Sequence, residues 1–124
     1  MDGKPKIGSL QRFEHNDGFA EDFGPSYFPK SEAERLAILD IRILNMDRNS
    51  CNTLVRHGSH GVELLPIDHG LSLPDMLGIA EYHIIWMAWG LLKEPPTPEL
   101  IEYAEKIDIN KDADLLRDQL GIWE

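Results

Sequence analysis

The sequence lacks any run of about 18 uncharged apolar residues, the shortest stretch that reads as a helix spanning a bilayer. The first residues, Met1 to Lys6, lack the apolar core of a secretory signal. Cysteine occurs once, at Cys51, so no disulfide can form within the chain, which is typical of a reducing compartment. These absences predict a soluble, cytoplasmic protein with at most peripheral membrane contact.

Basic residues are also scarce. The chain has 12 Lys and Arg against 22 Asp and Glu, which gives a net charge of −10, and neither Lys nor Arg occurs from His69 to Leu92. Nucleic-acid phosphates are held by clustered cations, so we expect no nucleic-acid partner. The same deficit argues against charge-driven docking on anionic lipid. An acidic surface of this kind suits a basic protein partner.

The composition describes one small globular domain. The chain has 124 residues, of which 42% are hydrophobic and 27% charged, enough for a single modest core. Residues 1–30 are rich in Gly, Pro, Asp and Asn and show no sustained period, which predicts a loop-rich lead-in with one short helix around Ser9 to Glu14. Its scattered aromatic residues either anchor the loop on the domain or line part of a pocket.

A buried helix is predicted after the lead-in. Ser31 and Glu34 have the spacing of a capping box, and the following residues to Leu44 are apolar nearly all round, which indicates a central helix. Asp40 and Arg42 interrupt the apolar run and cannot face one another. Each either finds a partner in the loop that follows or reaches solvent at the rim.

Two strand-like runs, 52–55 and 62–67, flank the glycine-containing joint 56–61 and predict a β-hairpin. Such a hairpin would place Asn52, at the start of one strand, beside Asp68, at the end of the other. Asp47 would lie in the loop just before. Two carboxylates and one carboxamide would then converge at one end of the hairpin.

Three further helices are predicted. The first runs from Asp75 to about Ala88, and we expect Trp86 and Trp89 to pack into the core rather than enter a membrane interface. The second is capped by Thr97 with Pro98 at its first position. The third follows Asn110 and ends at Gly121, with inward-facing leucines at Leu115, Leu116 and Leu120.

The polar residues near the hairpin suit phosphoryl transfer. This reaction needs Mg²⁺ on the ATP phosphates, held by oxygen ligands, and a carboxylate beside the attacking hydroxyl. Asp47, then Asn52 five residues on, then the triplet Asp68-His69-Gly70 reproduce the order of these groups in kinases. The pattern predicts Asp47 as the catalytic residue, with Asn52 and Asp68 holding Mg²⁺ and through it ATP. An Asp-x-Gly triplet alone is usually only a turn.

The wording of these motifs resembles one family. Asp47-Arg48-x-x-x-Asn52 followed by Asp68-His69-Gly70 is similar to the phosphoinositide 3/4-kinase superfamily. Leu39-Asp40-Ile41-Arg42 and Leu65-Pro66-Ile67, which lie beside them, resemble type II-related phosphatidylinositol 4-kinases, closest to the plant-type gamma branch. The resemblance implies an α+β fold in which residues 1–124 form part of a catalytic domain, the mostly helical C-terminal lobe with one catalytic hairpin. The N-terminal lobe, with its glycine-rich loop and lysine, is not found in the sequence.

The resemblance implies transfer of a phosphoryl group from Mg-ATP to an inositol phospholipid, as in 1-phosphatidylinositol 4-kinases, or to a protein hydroxyl, within a larger kinase. A kinase-derived acidic binding module without catalysis, or a truncated relic, is the alternative. Asn49 stands where many relatives have His after Asp-Arg, and an amide cannot serve as a base. We expect Arg48 to hold the loop, Cys51 to be a small buried side chain, and His57 and His60 to be solvated residues rather than metal ligands.

Overall fold

A computed structural model describes residues 3–74 and 83–121. These residues combine α-helices with two small β-sheets, so the predicted mixture of helix and strand is confirmed. The α-helices are α1 (Lys30–Arg42), α2 (Pro98–Glu105) and α3 (Ile109–Leu120). The strands are β1 (Gly18–Phe19), β2 (Asp47–Arg48), β3 (Thr53–Gly58), β4 (Gly61–Pro66) and β5 (His83–Ile84). Short 3₁₀ turns link them.

The hairpin forms as predicted. Strands β3 and β4 pair antiparallel from Thr53↔Pro66 to Gly58↔Gly61. Gly61 has φ of +115°, a conformation that glycine adopts without the steric cost of a side chain. β1 adds to the outer edge of β3, with Gly18 opposite Val55. The lead-in therefore lies across the hairpin as a third strand.

Helix α1 packs on the hairpin but begins differently from the prediction. Pro29 is its N-cap, and no side chain caps it. The Ser31–Glu34 capping box does not form, because Glu34 is only 3% exposed and its carboxylate accepts hydrogen bonds from the N–H and hydroxyl of Thr97. The helix is also not buried all round, since Ile41 is 60% exposed. The tertiary hydrogen bonds to Thr97 thus use the Glu34 carboxylate that the capping box would have needed.

The second sheet contradicts part of a predicted helix. β2 and β5 pair in parallel, with Asp47 opposite His83 and Arg48 opposite Ile84. His83–Ile84 is thus a strand and Ile85–Ala88 a 3₁₀ helix, whereas an α-helix was predicted through Ala88. The N–H of His83 donates to the carbonyl of Met46 at 3.1 Å, so strand pairing overrides the helical period. Residues 75–82, the rest of that predicted helix, lie outside the described residues.

The core lies between α1, the hairpin and the lead-in. Phe28 and Trp89 are each 5% exposed, with ring centroids 5.1 Å apart, so Trp89 packs in the core as predicted. Phe28 acts as an anchor for the lead-in, whereas Phe13 is 77% exposed. The predicted helix around residues 9–14 is absent, and that stretch has no regular structure. The core cluster consists of Ala20, Phe28, Ala33, Leu36, Val55, Leu64 and Trp89.

Helices α2 and α3 begin and end close to the predicted positions. The hydroxyl of Thr97 accepts from the N–H of Leu100, with Pro98 next in the chain. Gly121 ends α3 with φ of +65°, as a C-terminal glycine cap does. Leu115 and Leu120, predicted to face inward, are 59% and 62% exposed. None of the helices within the described parts of the chain is long and apolar enough to cross a membrane.

A buried ion pair joins α1 to the hairpin. The side chains of Asp40 and Arg48 are 1% and 0% exposed, with Nη2 of Arg48 2.9 Å from Oδ1 of Asp40. Nη1 of Arg48 also donates to the main-chain carbonyls of Asn52 and Ile67, at 2.6 and 2.8 Å. The expectations that Asp40 finds a partner and that Arg48 holds the loop both agree with this geometry. A buried charge is tolerated when it is paired and its other hydrogen-bonding groups are satisfied.

Replacement of Arg48 by methionine should therefore be strongly destabilising. The Asp40 carboxylate would stay buried without its cation, which costs about 3–5 kcal/mol. Urea unfolding followed by circular dichroism measures this change. Arg35→Met is the matched control, because the Arg35 side chain is 78% exposed and its pair with Glu32 contributes less than about 1 kcal/mol. Equal shifts of the two midpoints would contradict the role of the buried pair.

Thr97→Ala should destabilise the junction between α1 and α2. The substitution removes the cap of α2 and leaves the buried Glu34 carboxylate without the hydroxyl donor. We expect a loss of about 1–3 kcal/mol in the free energy of unfolding. Thr97→Ser keeps the hydroxyl and should lie within about 0.5 kcal/mol of the native chain. If serine and alanine destabilise alike, the hydroxyl is not what holds the junction.

Candidate active site

The structure brings Asp47 and Asn52 into contact. Nδ2 of Asn52 donates to the main-chain carbonyl of Asp47 at 2.8 Å and lies 3.4 Å from its carboxylate Oδ2. Asn52 is 9% exposed. Within the described residues, no hydrogen bond uses the side-chain oxygen of Asn52, which leaves a neutral oxygen ligand close to a carboxylate.

The loop that carries Asp47 is held by two further asparagines. Oδ1 of Asn49 accepts from the N–H groups of Cys51 and Asn52, and its Nδ2 donates to Oδ1 of Asp47 at 3.1 Å. Asn45 is 2% exposed, and its side-chain oxygen accepts from the N–H of Asp47 at 3.0 Å. The amides fix the Asp47 carboxylate in place without neutralising its charge.

Asp68 lies at the end of the hairpin that is next to Asn52. The N–H of Ile67 donates to the carbonyl of Asn52 at 3.0 Å, one position before Asp68. Asp68 is exposed and has φ of +52°, which is uncommon for a residue other than glycine and often marks a functional turn. Its Oδ1 accepts from the N–H of Gly70 at 3.3 Å. The carboxylate therefore keeps room for other ligands.

His69 contacts the buried ion pair. Its Nδ1 lies 3.1 Å from Nη2 of Arg48, and because the guanidinium can only donate, Nδ1 is the acceptor. Desolvation, together with the nearby charge of Arg48, lowers the pKa of His69. Desolvation and the positive charge of Arg48 therefore both disfavour the protonated form of the middle residue of the triplet.

An open cleft of about 1020 Å³ lies between the lead-in and the hairpin. Apolar side chains of the hairpin, Leu54, Leu65 and Ile67, form one part of its lining, and Asp68 and His69 are also among the lining residues. The lead-in lines the opposite part with Ser9, Gln11, Arg12, Phe13, Glu14, Asn16 and Phe19. A cleft with an apolar surface and a carboxylate in its lining suits a ligand with a flat apolar part and an anionic, cation-bound part.

The donor set fits Mg²⁺ bound together with phosphates. Within residues 3–74 and 83–121, no three His, Cys, Asp or Glu side chains gather closely enough to hold a metal ion by themselves. Mg²⁺ commonly takes only one or two protein carboxylates and completes its shell with substrate phosphates and water. Asp68 and the free oxygen of Asn52 are the hard oxygen donors that this arrangement needs.

One other sequence-based expectation is wrong, and a second agrees with the structure but is incomplete. Cys51 is exposed rather than buried, and its contact with Glu21 raises the pKa of the thiol, so nothing activates it as a nucleophile. His57 is exposed as predicted but is also hydrogen-bonded to Asp17 and Tyr27.

Two contributors to the site region were missed. No role was predicted for Asn45, whose Nδ2 donates to Oδ1 of Asp40 at 3.3 Å. Trp86 donates from Nε1 to Oδ2 of Asp40 at 2.9 Å across 46 positions of the chain. A contact that spans so much sequence leaves no local signal. Only the adjacency of Arg48 to Asp47 hinted at the network that surrounds the site.

Comparison with known proteins places these motifs in a family. The sequence model described as phosphatidylinositol 3- and 4-kinase matches residues 1–121. Phosphatidylinositol 4-kinase gamma 4 of Oryza sativa subsp. japonica is 42% identical over 116 residues, which are 93% of this chain and 20% of that protein. Phosphatidylinositol 4-kinase gamma 4 of Arabidopsis thaliana is 41% identical over 115 residues, 92% of this chain and 20% of that protein.

A third relative, phosphatidylinositol 4-kinase gamma 7 of Arabidopsis thaliana, is 42% identical over 120 residues, 93% of this chain and 18% of that protein. The chain thus spans about a fifth of the length of the curated relatives it matches. No solved structure matches it. The match of the family's sequence model to nearly all of the chain confirms the resemblance seen in the motifs, and the chain belongs to the phosphatidylinositol 3- and 4-kinase family.

Proposed function

We propose that this chain supplies part of the catalytic machinery of a phosphotransferase, which moves the terminal phosphoryl group of Mg-ATP to a hydroxyl of an inositol phospholipid. The observation that carries the proposal is the contact of the Asn52 side-chain NH₂ with Asp47, in which the Asn52 side-chain oxygen is not used. The main chain of Asn52 is also hydrogen-bonded to Ile67, the residue before the exposed Asp68. The chain acts within a larger kinase, as the C-terminal lobe, because its relatives are about five times longer and phosphate binding needs a second lobe.

Asp47 is the residue that faces the acceptor hydroxyl in this proposal. Its carboxylate accepts hydrogen bonds from the neutral amides of Asn49 and Asn52, and within the described residues no cationic side chain is hydrogen-bonded to it. A fixed, charged carboxylate can orient an attacking hydroxyl and accept its proton. The amides limit the motion of the carboxylate, so little reorganisation is required when the acceptor arrives.

Asn52 and Asp68 are the residues that would hold Mg²⁺, with the apolar lining of the cleft at Leu54, Leu65 and Ile67 facing the nucleotide base. The metal ion, when bound, neutralises charge on the transferring phosphates. Arg48 fixes the main chain on both sides of this pair through the carbonyls of Asn52 and Ile67. The spacing of the two ligands is thus set by the buried ion pair rather than by the metal.

The lipid acceptor is proposed from the printed names of the relatives, which are phosphatidylinositol 4-kinases. The net charge of −10 and the absence of Lys and Arg from His69 to Leu92 provide no cations for an anionic headgroup in that stretch. The rest of the kinase would have to supply them, and a protein hydroxyl is the second acceptor that we propose. We propose that the kinase acts in the cytoplasm and contacts the membrane peripherally.

A non-catalytic acidic binding module is the competing function. The same net charge of −10 favours it, because an acidic surface attracts a basic protein partner. It makes no use of the arrangement of Asp47, Asn52 and Asp68, so substitutions of these residues should leave partner binding unchanged. Substitutions at Asp47, Asn52 and Asp68 therefore distinguish the two functions, since only the kinase should lose activity.

Asp68→Asn and Asp47→Asn should have different effects. Loss of the Asp68 charge should weaken Mg²⁺-dependent ATP binding on the order of tenfold or more, measured by titration calorimetry with and without Mg²⁺. Asp47→Asn should leave ATP binding nearly intact but reduce transfer of labelled phosphate about 10²–10⁴-fold. The acceptors are phosphatidylinositol in mixed micelles and, separately, a protein mixture, and the enzyme is the full-length kinase that carries this chain.

Asp118→Asn on α3 serves as the matched control, since it removes the same charge from an exposed position away from the cleft. Its nucleotide affinity and transfer rate should equal those of the native protein. Nucleotide binding that is indifferent to Mg²⁺ and to both site substitutions would overturn the kinase proposal and leave the acidic binding module.

A further inference from the structure

A second cluster of titratable side chains lies away from the proposed active site, where the lead-in crosses the hairpin. Nδ1 of His57 is 2.8 Å from Oδ2 of Asp17, and Nε2 of the same ring is hydrogen-bonded to the hydroxyl of Tyr27. Asp17 precedes β1, His57 lies in β3, and Tyr27 ends a short 3₁₀ helix. Three separate segments thus align a carboxylate, an imidazole and a phenol in one row.

The carboxylate of Asp17 determines which nitrogen of the neutral His57 ring carries the proton. Oδ2 of Asp17 accepts from the backbone N–H of His57 at 2.8 Å as well as from the ring. The bond from the His57 side chain, followed by that from its backbone, holds the pKa of Asp17 below its usual range. An ionised Asp17 accepts the hydrogen bond from Nδ1–H of His57, so in the neutral ring the lone pair of Nε2 faces the Tyr27 hydroxyl.

The three side chains are held rather than loosely placed. The N–H of Asp17 donates to the carbonyl of Val55 at 2.8 Å, which anchors the carboxylate to the hairpin. The Tyr27 ring stacks on Phe23, with centroids 5.1 Å apart and planes inclined by 18°. Tyr27 is nevertheless 45% exposed, so a reagent can approach its side chain from solvent. A nucleophile with a base in hydrogen-bond contact, and a third group that orients the base, is the usual arrangement of an activated hydroxyl.

We propose that Tyr27 is a modification site, an activated phenol that accepts a phosphoryl group from a nucleoside triphosphate. The Tyr27 oxygen forms a bond to phosphorus, the bond from phosphorus to the nucleoside diphosphate breaks, and the phenolic proton moves to Nε2 of His57. The product places a phosphate beside a positively charged His57, which Asp17 orients from the far side. This proposal is independent of the kinase activity assigned to Asp47.

The modification would act on the lead-in. The lead-in lines one part of the cleft that contains Asp68, and its register on the hairpin is set close to this cluster by Gly18 and Phe19. A phosphate on Tyr27 would replace the neutral hydrogen bond to His57 by an ion pair. The contact of the lead-in with the hairpin would therefore depend on phosphorylation.

The chain provides a matched control in Tyr103. This tyrosine is also 45% exposed, and its hydroxyl accepts from Nη1 of Arg42 at 2.7 Å. A guanidinium can only donate hydrogen bonds, so it cannot remove the phenolic proton. Tyr27 and Tyr103 therefore differ in the presence of a base and not in exposed fraction.

The first test uses a dialkyl fluorophosphate, a phosphorus electrophile that releases fluoride when the phenol attacks. Peptide mass spectrometry over time gives the labelling rate of each tyrosine. We expect Tyr27 to react at least about tenfold faster than Tyr103, since general-base assistance commonly contributes about 10²–10⁴-fold. His57→Gln should reduce the Tyr27 rate to that of Tyr103, and Asp17→Asn should reduce it less, with Tyr103 unchanged in both.

Circular dichroism and urea unfolding establish that each variant is folded, and Asp17→Asn retains the histidine if His57→Gln does not fold. Labelling rates of Tyr27 and Tyr103 within twofold of each other, or a Tyr27 rate that neither substitution changes, would overturn the proposal of an activated phenol.

The second test is phosphopeptide mass spectrometry of the chain from its source cells. Phosphate on Tyr27 that falls in His57→Gln supports the assignment, and its absence from the native chain overturns it.

Discussion

The buried pair of Asp40 with Arg48 is the constraint on which the rest of the structure depends. Taking two charges out of water is costly, and the cost is recovered only when every donor and acceptor of the pair is used. Here the carboxylate accepts from the guanidinium, from Asn45 and from Trp86, while the guanidinium also reaches two main-chain carbonyls. Helix, loop, hairpin and the segment after β5 therefore meet at one charge-compensated point.

The buried ion pair also positions the main chain of the proposed active site. Arg48 holds the carbonyl of Asn52, which is itself a proposed metal ligand, and the carbonyl of Ile67, the residue before Asp68. The carboxylate of Asp47 is positioned by neutral amides instead, and so remains free to interact with a proton or a hydroxyl. The buried charges hold the loop and the hairpin in place, and the reactivity that we propose belongs to the half-buried Asp47 and the exposed Asp68.

Local signals in the sequence predicted local structure well. The hairpin followed from two strand-like runs around a glycine-containing joint, and the start of α2 followed from Thr97 and Pro98, because both depend on neighbours in the chain. The predicted capping role of Glu34 and the predicted α-helix over residues 83–88 were wrong, because distant partners, Thr97 and the carbonyl of Met46, form hydrogen bonds that the local pattern does not include. The order of Asp47, Asn52 and Asp68 was readable from sequence. The supporting Trp86 was not, since its partner lies 46 positions away.

The parallel pairing of β2 with β5 has a consequence for how the family can vary. The hairpin follows β2 in the chain, and β5, which comes after the hairpin, pairs with β2. The two ends of the hairpin are also paired with each other, Thr53 with Pro66. Length changes at its tip, between Gly58 and Gly61, add loop at the far end and leave the pinned end unmoved. Insertions there can diversify the surface over evolutionary time while the spacing of Asp47, Asn52 and Asp68 is preserved.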